Sequence, residues 1–385
     1  MYVTRPLSLY RNSPSALSLP PPEGPSSGIL VIKDEAAESK WLFGMLKDET
    51  VSVPPFPQNK KLWLSNTMVV ATNTFVDYIY ALFIPVLDQP LSSNQYYIIK
   101  SQGSEKGLAY VSSKDEGRSR LLGVADAPLQ KFDPTNAYQK FEISNDTFCG
   151  KPNGFVFKSV ASDGITPYSM TRKGWRAYTK TLDTFQPTAE ALGLDAALRA
   201  RLPQLTFSLP CRSSTPVVVG KWYCPFIFVR ELGVDYQINN SPYYEMTLEQ
   251  SWEEIFWCEN YRDGGRGVDV DVSVKKEVVS VEGKAVGDVS VSDGVAWLVP
   301  TRVGLSLAVV ERMKWEEQRG GFEWVGEGGE KEVKMQRREE FEGVGMWKRF
   351  GCYVLVERFV LKRRDGSLVL TWEFRHTHQI TTKWE

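Results

Sequence analysis

Proline distribution constrains this chain more than any other feature. Of 22 prolines, 21 lie in residues 1–267 and only Pro300 follows. Proline removes a ladder N–H and holds φ at about −65°, so it is confined to sheet edges, bulges and the first turn of helices. The last 118 residues are therefore free to form long strands, and they alternate apolar with polar residues, as in Val268-Asp-Val-Asp-Val-Ser-Val-Lys275. That alternation marks antiparallel sheet with one polar face. The change of character falls near Gly264-Gly265-Arg266-Gly267.

Proline punctuates the first part. Residues 1–27 read as an extended strap, because Pro20-Pro21-Pro22-Glu23-Gly24-Pro25 favours polyproline II and Pro6 and Pro14 exclude a helix. Gly28–Ile32 follows as a short buried strand. Tyr80–Val86 and Gln95–Lys100 are strands around the turn-rich loop Asp88–Asn94, with further strands at Gly107–Ser113 and Gly154–Val160. One helix with a break at Gly193, or two short ones, is expected over 188–201, and Val217–Val229 reads as strand with Pro225 at an edge or bulge. Thr247-Leu248-Glu249-Gln250 has the spacing of a capping box, with Leu248, Trp252, Ile255 and Phe256 on one helical face, which predicts a helix over 247–258. The apolar stretch Thr67–Leu87 is interrupted by Asn73, Asp77 and Pro85, so no transmembrane helix is expected.

In the last stretch, Asp293-Gly294, Gly320-Gly321 and Asp365-Gly366 are each suited to a two-residue hairpin turn. The third can be checked internally. With Asp365-Gly366 as the loop, Leu370 opposes Leu361, Trp372 opposes Phe359, His376 opposes Leu355 and His378 opposes Tyr353, so apolar residues of both strands share a face. On the other face Glu373 opposes Arg358, and the first strand, apolar on both sides, is expected in the middle of its sheet.

The organisation so read is α+β, mostly antiparallel sheet with few helices, in two domains or closely packed halves. After the strap, 28–205 form an N-terminal mixed β domain. Residues 206–385 form a C-terminal domain, its helix 247–258 packed on a sheet formed mainly by 268–385.

Composition narrows the chemistry. With 46 Lys and Arg against 47 Asp and Glu, a nucleic-acid groove is not expected. Five cysteines, none at metal-ligand spacing, suit a reducing compartment, and no secretory signal opens the chain, so a cytoplasmic location is expected. No nucleotide motif is present and no cofactor is expected. The only histidines, His376 and His378, are two apart on a strand and point to one side, where Glu357 is the ionisable neighbour. These three are the candidate metal ligands; the competing reading is that the imidazoles cap an apolar face. Gly304-Leu305-Ser306 resembles the start of a nucleophile elbow but lacks its second glycine and lies in strand. Adjacent carboxylates at Glu253-Glu254, Glu316-Glu317 and Glu339-Glu340 read as solvated faces. Residues 268–291 alternate well enough for a membrane-inserting hairpin, and equally for a half-buried sheet.

Several blocks, among them Pro85-Val-Leu-Asp-Gln-Pro-Leu-Ser-Ser-Asn94, Val219-Gly-Lys-Trp-Tyr-Cys-Pro-Phe226, Glu311-Arg-Met-Lys-Trp-Glu316 and Phe374-Arg-His-Thr-His-Gln379, resemble a land-plant family filed as a domain of unknown function, number twelve sixty-two. The resemblance runs from Met1 to Glu385. It implies no reaction, cofactor or catalytic residue, although some members carry an inherited label for insecticidal crystal toxins. Surplus Trp and Tyr, without an assembled catalytic set, point to a non-enzymatic binding module with a protein partner. The alternatives are a metal-assisted enzyme using His376 and His378 and a membrane-acting hairpin at 268–291.

Overall fold

The computed structural model describes residues 1–37, 40–41, 46–47, 49–114, 126–148, 150–180, 187, 189–261, 265–322 and 332–385. Antiparallel sheet dominates, with four α-helices among the described residues. The chain divides into two units. The first comprises Met1–Ala191, Tyr223–Tyr244 and Leu305–Val309, and the second Leu192–Trp222, Glu245–Gly304 and Val310–Glu385. The chain thus first crosses between units at Ala191, and two later segments return to the first.

In the first unit, β1 (Tyr2–Pro6) pairs in parallel with β2 (Gly28–Ile32), which is buried as its apolar sequence requires. The expectation of an extended strap is corrected: Leu7–Asn12 is an α-helix and Pro14–Ser18 a 3-10 turn. Pro6 sits at the N-cap and Pro14 at the first position of the turn, where the missing N–H would have had no helical partner anyway. The main sheet contains β3 (Lys61–Val70), β4 (Asn73–Pro85), β5 (Gln95–Lys100), β6 (Lys140–Phe148), β7 (Lys151–Ser159) and β8 (Arg176–Lys180), in the order β7-β6-β5-β4-β3-β8. One face packs Leu62, Leu64, Ile79, Phe83, Tyr96 and Phe141 into the core. The stretch Thr67–Leu87 is thus mostly hairpin, and no described helix is long and apolar enough to cross a membrane. Within 107–113, Ala109 forms only isolated bridges.

In the second unit, the helix near 188–201 shrinks to α1 (Ala196–Ala200), capped by the Asp195 carboxylate accepting from the Leu198 N–H; Thr188 lies outside the described residues. After β9 (Val217–Pro225), the segment expected to be helical at 247–258 is strand, within β10 (Tyr243–Glu259). Its ladder with β14 (Arg349–Lys362) runs through fourteen paired positions. A capping box stabilises by about 0.5–2 kcal/mol, which so long a ladder outweighs. Met246, Leu248, Gln250 and Trp252 are buried on one side and Thr247 and Ser251 on the other, so burial on both faces blurred the period.

Strand β11 (Gly267–Lys275) does not fold back on the residues after it. It pairs with β13 (Glu332–Glu340), while β12 (Glu277–Val281) pairs with β15 (Leu368–Trp384). The reading of 268–291 as one hairpin is corrected accordingly: Val268 and Val270 pack against Trp347, Phe350 and Cys352, so the alternating face is core. Asp293-Gly294 does form its two-residue turn, both residues at positive φ. Gly320-Gly321 instead ends α2 (Leu307–Arg319), a helix absent from the sequence reading. The Phe322 N–H donates to the Glu317 carbonyl and the Gly321 N–H to that of Gln318, the paired bonds of a left-handed helix stop. Ser306 accordingly lies at a strand-to-helix junction, not inside a strand.

The β14–β15 pairing has the expected register from Leu361↔Leu370 to Leu355↔His376, and β14 is central. The loop is Arg364-Asp365-Gly366, three residues and not two, since the Arg363 N–H donates to the Ser367 carbonyl. Beyond His376 the ladder jumps to Val354↔Ile380, which breaks the expected pairing of His378 with Tyr353. Gly321 holds φ +89° at the end of α2. Gly321→Ala should cost about 1–2 kcal/mol, because an L residue is strained there; urea denaturation of the variant checks this.

Candidate functional site

Glu357 lies on the central strand β14 and is 1% exposed, so its charge must be compensated inside the protein. Its Oε1 accepts from Arg199 Nε at 2.7 Å and from Gln250 Nε2 at 2.8 Å. Its Oε2 accepts from Arg199 Nη2 and lies 3.1 Å from His376 Nε2. The same His376 nitrogen is 3.1 Å from Glu317 Oε2. Four elements deliver these groups: α1 brings Arg199, β10 Gln250, α2 Glu317 and β15 His376. Arg199 Nη1 also donates to the Glu316 carbonyl at 2.9 Å. Gly320 is required here, since a Cβ on it would lie 2.1 Å from Arg199 Nη2.

The charges move one another. Arg199 and His376 hold the Glu357 carboxyl far below the usual range, outweighing the opposing effect of burial. Burial and the facing Glu357 carboxylate push Glu317 up to about 8. Burial works against the His376 cation, but the two carboxylates prevail and raise it to about 9. Adjacent helical residues diverge, yet Glu316 and Glu317 are both buried, correcting their reading as a solvated face; Arg312 Nη2 donates to Glu316 at 2.6 Å.

Glu317, Glu357 and His376 each offer one ligand atom within 4.8 Å of the others. Of the three sequence candidates, His376 and Glu357 therefore meet, while His378 is exposed at the bulge with its ring 5.6 Å from that of His376. A carboxylate has about four acceptor positions, and those of Glu357 face Arg199 twice, Gln250 and His376. As these side chains lie they form a buried ion network, in which Glu317 Oε1 and His376 Nδ1 have no hydrogen-bond partner among the described residues. Arg199, Gln250 and Glu317 had no legible signal as its members. Gln250 carried the spacing of a helix cap, and Arg199 is 158 residues from its partner Glu357. Cys352 packs elsewhere, against Phe350 and Trp347, with its thiol pushed up to about 11 by burial, so it forms no nucleophilic pair with His376. The four described cysteines are free, and Cys149 lies outside the described residues.

A second candidate is a surface. On the face of β3, β4 and β8 opposite the core, register places Lys61, Trp63 and Ser65 beside Lys180, Tyr178 and Arg176, and Trp63 and Ser65 beside Tyr80 and Tyr78. Trp63 stacks on Tyr178 at 4.5 Å between ring centroids, and Tyr78 on Tyr80 at 6.0 Å. Tyr78 is 52% exposed. The face carries three cations and, on these three strands, no acid.

Arg199→Met, which keeps volume but leaves buried carboxylates uncompensated, should destabilise the protein by about 3–5 kcal/mol in urea denaturation. The raised His376 value sets a pH window. The stabilisation is full below about 6.5 and is lost as pH rises through about 9, and Glu317 acts in the same direction from about 4.5 to 8. Unfolding midpoints should therefore fall between pH 6.5 and 9, and His376→Gln should flatten that fall.

A family model described as "Protein of unknown function (DUF1262)" matches residues 23–121, a stretch that includes β3 and β4. No curated protein matches the chain. A solved structure described as "Crystal structure of Cry35Ab1" is similar with a TM-score of 0.47 and 14% identity, covering 85% of this chain and 90% of that one.

Proposed function

We propose that the protein is a non-enzymatic binding module that takes an anionic partner on the exposed aromatic face of its first unit. One observation carries this reading: in a chain of net charge −1, Lys61, Arg176 and Lys180 are gathered around Trp63, Tyr78, Tyr80 and Tyr178 on a face where these strands place no acid, Asp77 of β4 lying on the opposite face. Tyrosine and tryptophan supply contact area at low entropy cost and are enriched where binding energy concentrates. Cations beside them select the sign of the ligand and speed its encounter. The buried cluster supports the same reading from the other side, since its carboxylate at Glu357 is fully engaged in holding Arg199 and His376. The resemblance of the sequence blocks outside residues 23–121 supports membership of the same family along the whole chain.

Retention on immobilised heparin at low ionic strength tests this. The wild-type chain should be held despite its net charge and elute with salt, because surface attraction is screened over about 10 Å at 0.1 M. The triple variant Lys61→Glu, Arg176→Glu, Lys180→Glu should pass unretained with unchanged thermal stability. A wild-type chain that passes through the column contradicts the reading.

A further inference from the structure

The hairpin of β3 and β4 continues past the sheet. Ser65↔Arg176 is the last pairing with β8, and from Thr67↔Val76 to the turn after Val70 the two strands have only one another among the described residues. This projecting ribbon carries no charge from Thr67 to Val76 and exposes large apolar side chains beside Thr67, Thr72, Asn73 and Thr74: Val69 is 70% exposed, Phe75 52% and Val76 41%. Phe75 and Val76 point to opposite sides of the ribbon, so both of its faces carry exposed apolar area. The acid near the tip, Asp77, is paired with Arg172.

Along the hairpin the residues are graded. The uncharged tip with Val69, Phe75 and Val76 comes first, then Tyr78, then Trp63 and Tyr80 about 7 Å further at 3.4 Å per residue, with Arg176, Lys180 and Lys61 beside these rings. A lipid surface is graded in the same order, from acyl chains through the zone that Trp and Tyr prefer to charged headgroups. Among the described residues nothing pairs with the ribbon's outer edges, and hydrocarbon does not tolerate unpaired backbone groups, so it suits the headgroup boundary and not a full crossing. We infer that the Lys61–Pro85 hairpin docks the protein on an anionic bilayer surface, with Val69, Phe75 and Val76 in the headgroup–acyl boundary and Lys61, Arg176 and Lys180 on the lipid phosphates. This rests on the proposed anion-binding face and names its partner. The segment is distinct from 268–291, whose valines face the core.

Co-sedimentation with vesicles of phosphatidylcholine alone and of phosphatidylcholine mixed with phosphatidylserine tests it, using the full chain. The wild type should sediment with the mixed vesicles and not with the neutral ones. Val69→Ser with Phe75→Ser, both at exposed positions, should weaken vesicle binding about tenfold or more by removing apolar area that lipid would cover, while retention on heparin stays as in wild type. Each of Lys61→Glu, Arg176→Glu and Lys180→Glu should cost roughly fivefold or more. Heparin retention without vesicle binding overturns the bilayer inference, leaves the anion-binding reading intact, and makes a soluble polyanion the occupant. Vesicle binding unaffected by the tip substitutions likewise overturns it, since attraction by charge alone needs no apolar tip. Loss of both readouts in the wild type overturns both readings.

Discussion

The carboxylate of Glu357 is the constraint from which the second unit is organised. A charge on a central strand, buried on both faces of the sheet, is tolerable only if other elements bring it donors. The short helix at Ala196–Ala200 exists in the right place to deliver Arg199, and the left-handed stop at Gly320-Gly321 both ends the helix that carries Glu317 and clears space for the guanidinium. His376 then bridges the two carboxylates, and the ladder breaks immediately after it. The network ties segments far apart in sequence into one arrangement, and its cost in desolvation is offset only when every member is present.

Much of the sheet was legible. The β14–β15 register followed from apolar alternation, and the Arg358–Glu373 pair was found where that register placed it, Arg358 Nε donating at 2.7 Å. Proline marked the edges of the first unit's strands, and the loop from Asp88 to Asn94 joins β4 and β5 as its turn residues require. What failed did so for physical reasons. Residues 247–258 satisfy both a helical and a strand period because the strand they form is buried on both sides, and cross-strand pairing outweighed a local cap. Gly320-Gly321 was read as a hairpin because a left-handed residue serves a turn and a helix end equally well.

The candidate site was legible only in part. Glu357 and His376 could be placed near one another because they share a hairpin, but Arg199, Gln250 and Glu317 reach them through long-range packing that no local spacing encodes. The aromatic face was visible only as a surplus of Trp and Tyr. Which of these rings are core and which are surface depends on which face of β3, β4 and β8 meets the core, and Leu62, Leu64 and Ile79 settle that by being buried.

The two candidate sites thus have opposite physical characters. One is closed, with its charges balanced internally; the other is open, with charge and apolar area directed outward. Hydrogen–deuterium exchange of the full chain with and without vesicles containing phosphatidylserine tests that contrast most directly. The account predicts added protection confined to 61–80 and 176–180, with exchange around Glu357 and His376 unchanged. Protection centred on Glu357, Glu317 and His376, or none at the hairpin while the protein is bound to lipid, would contradict it.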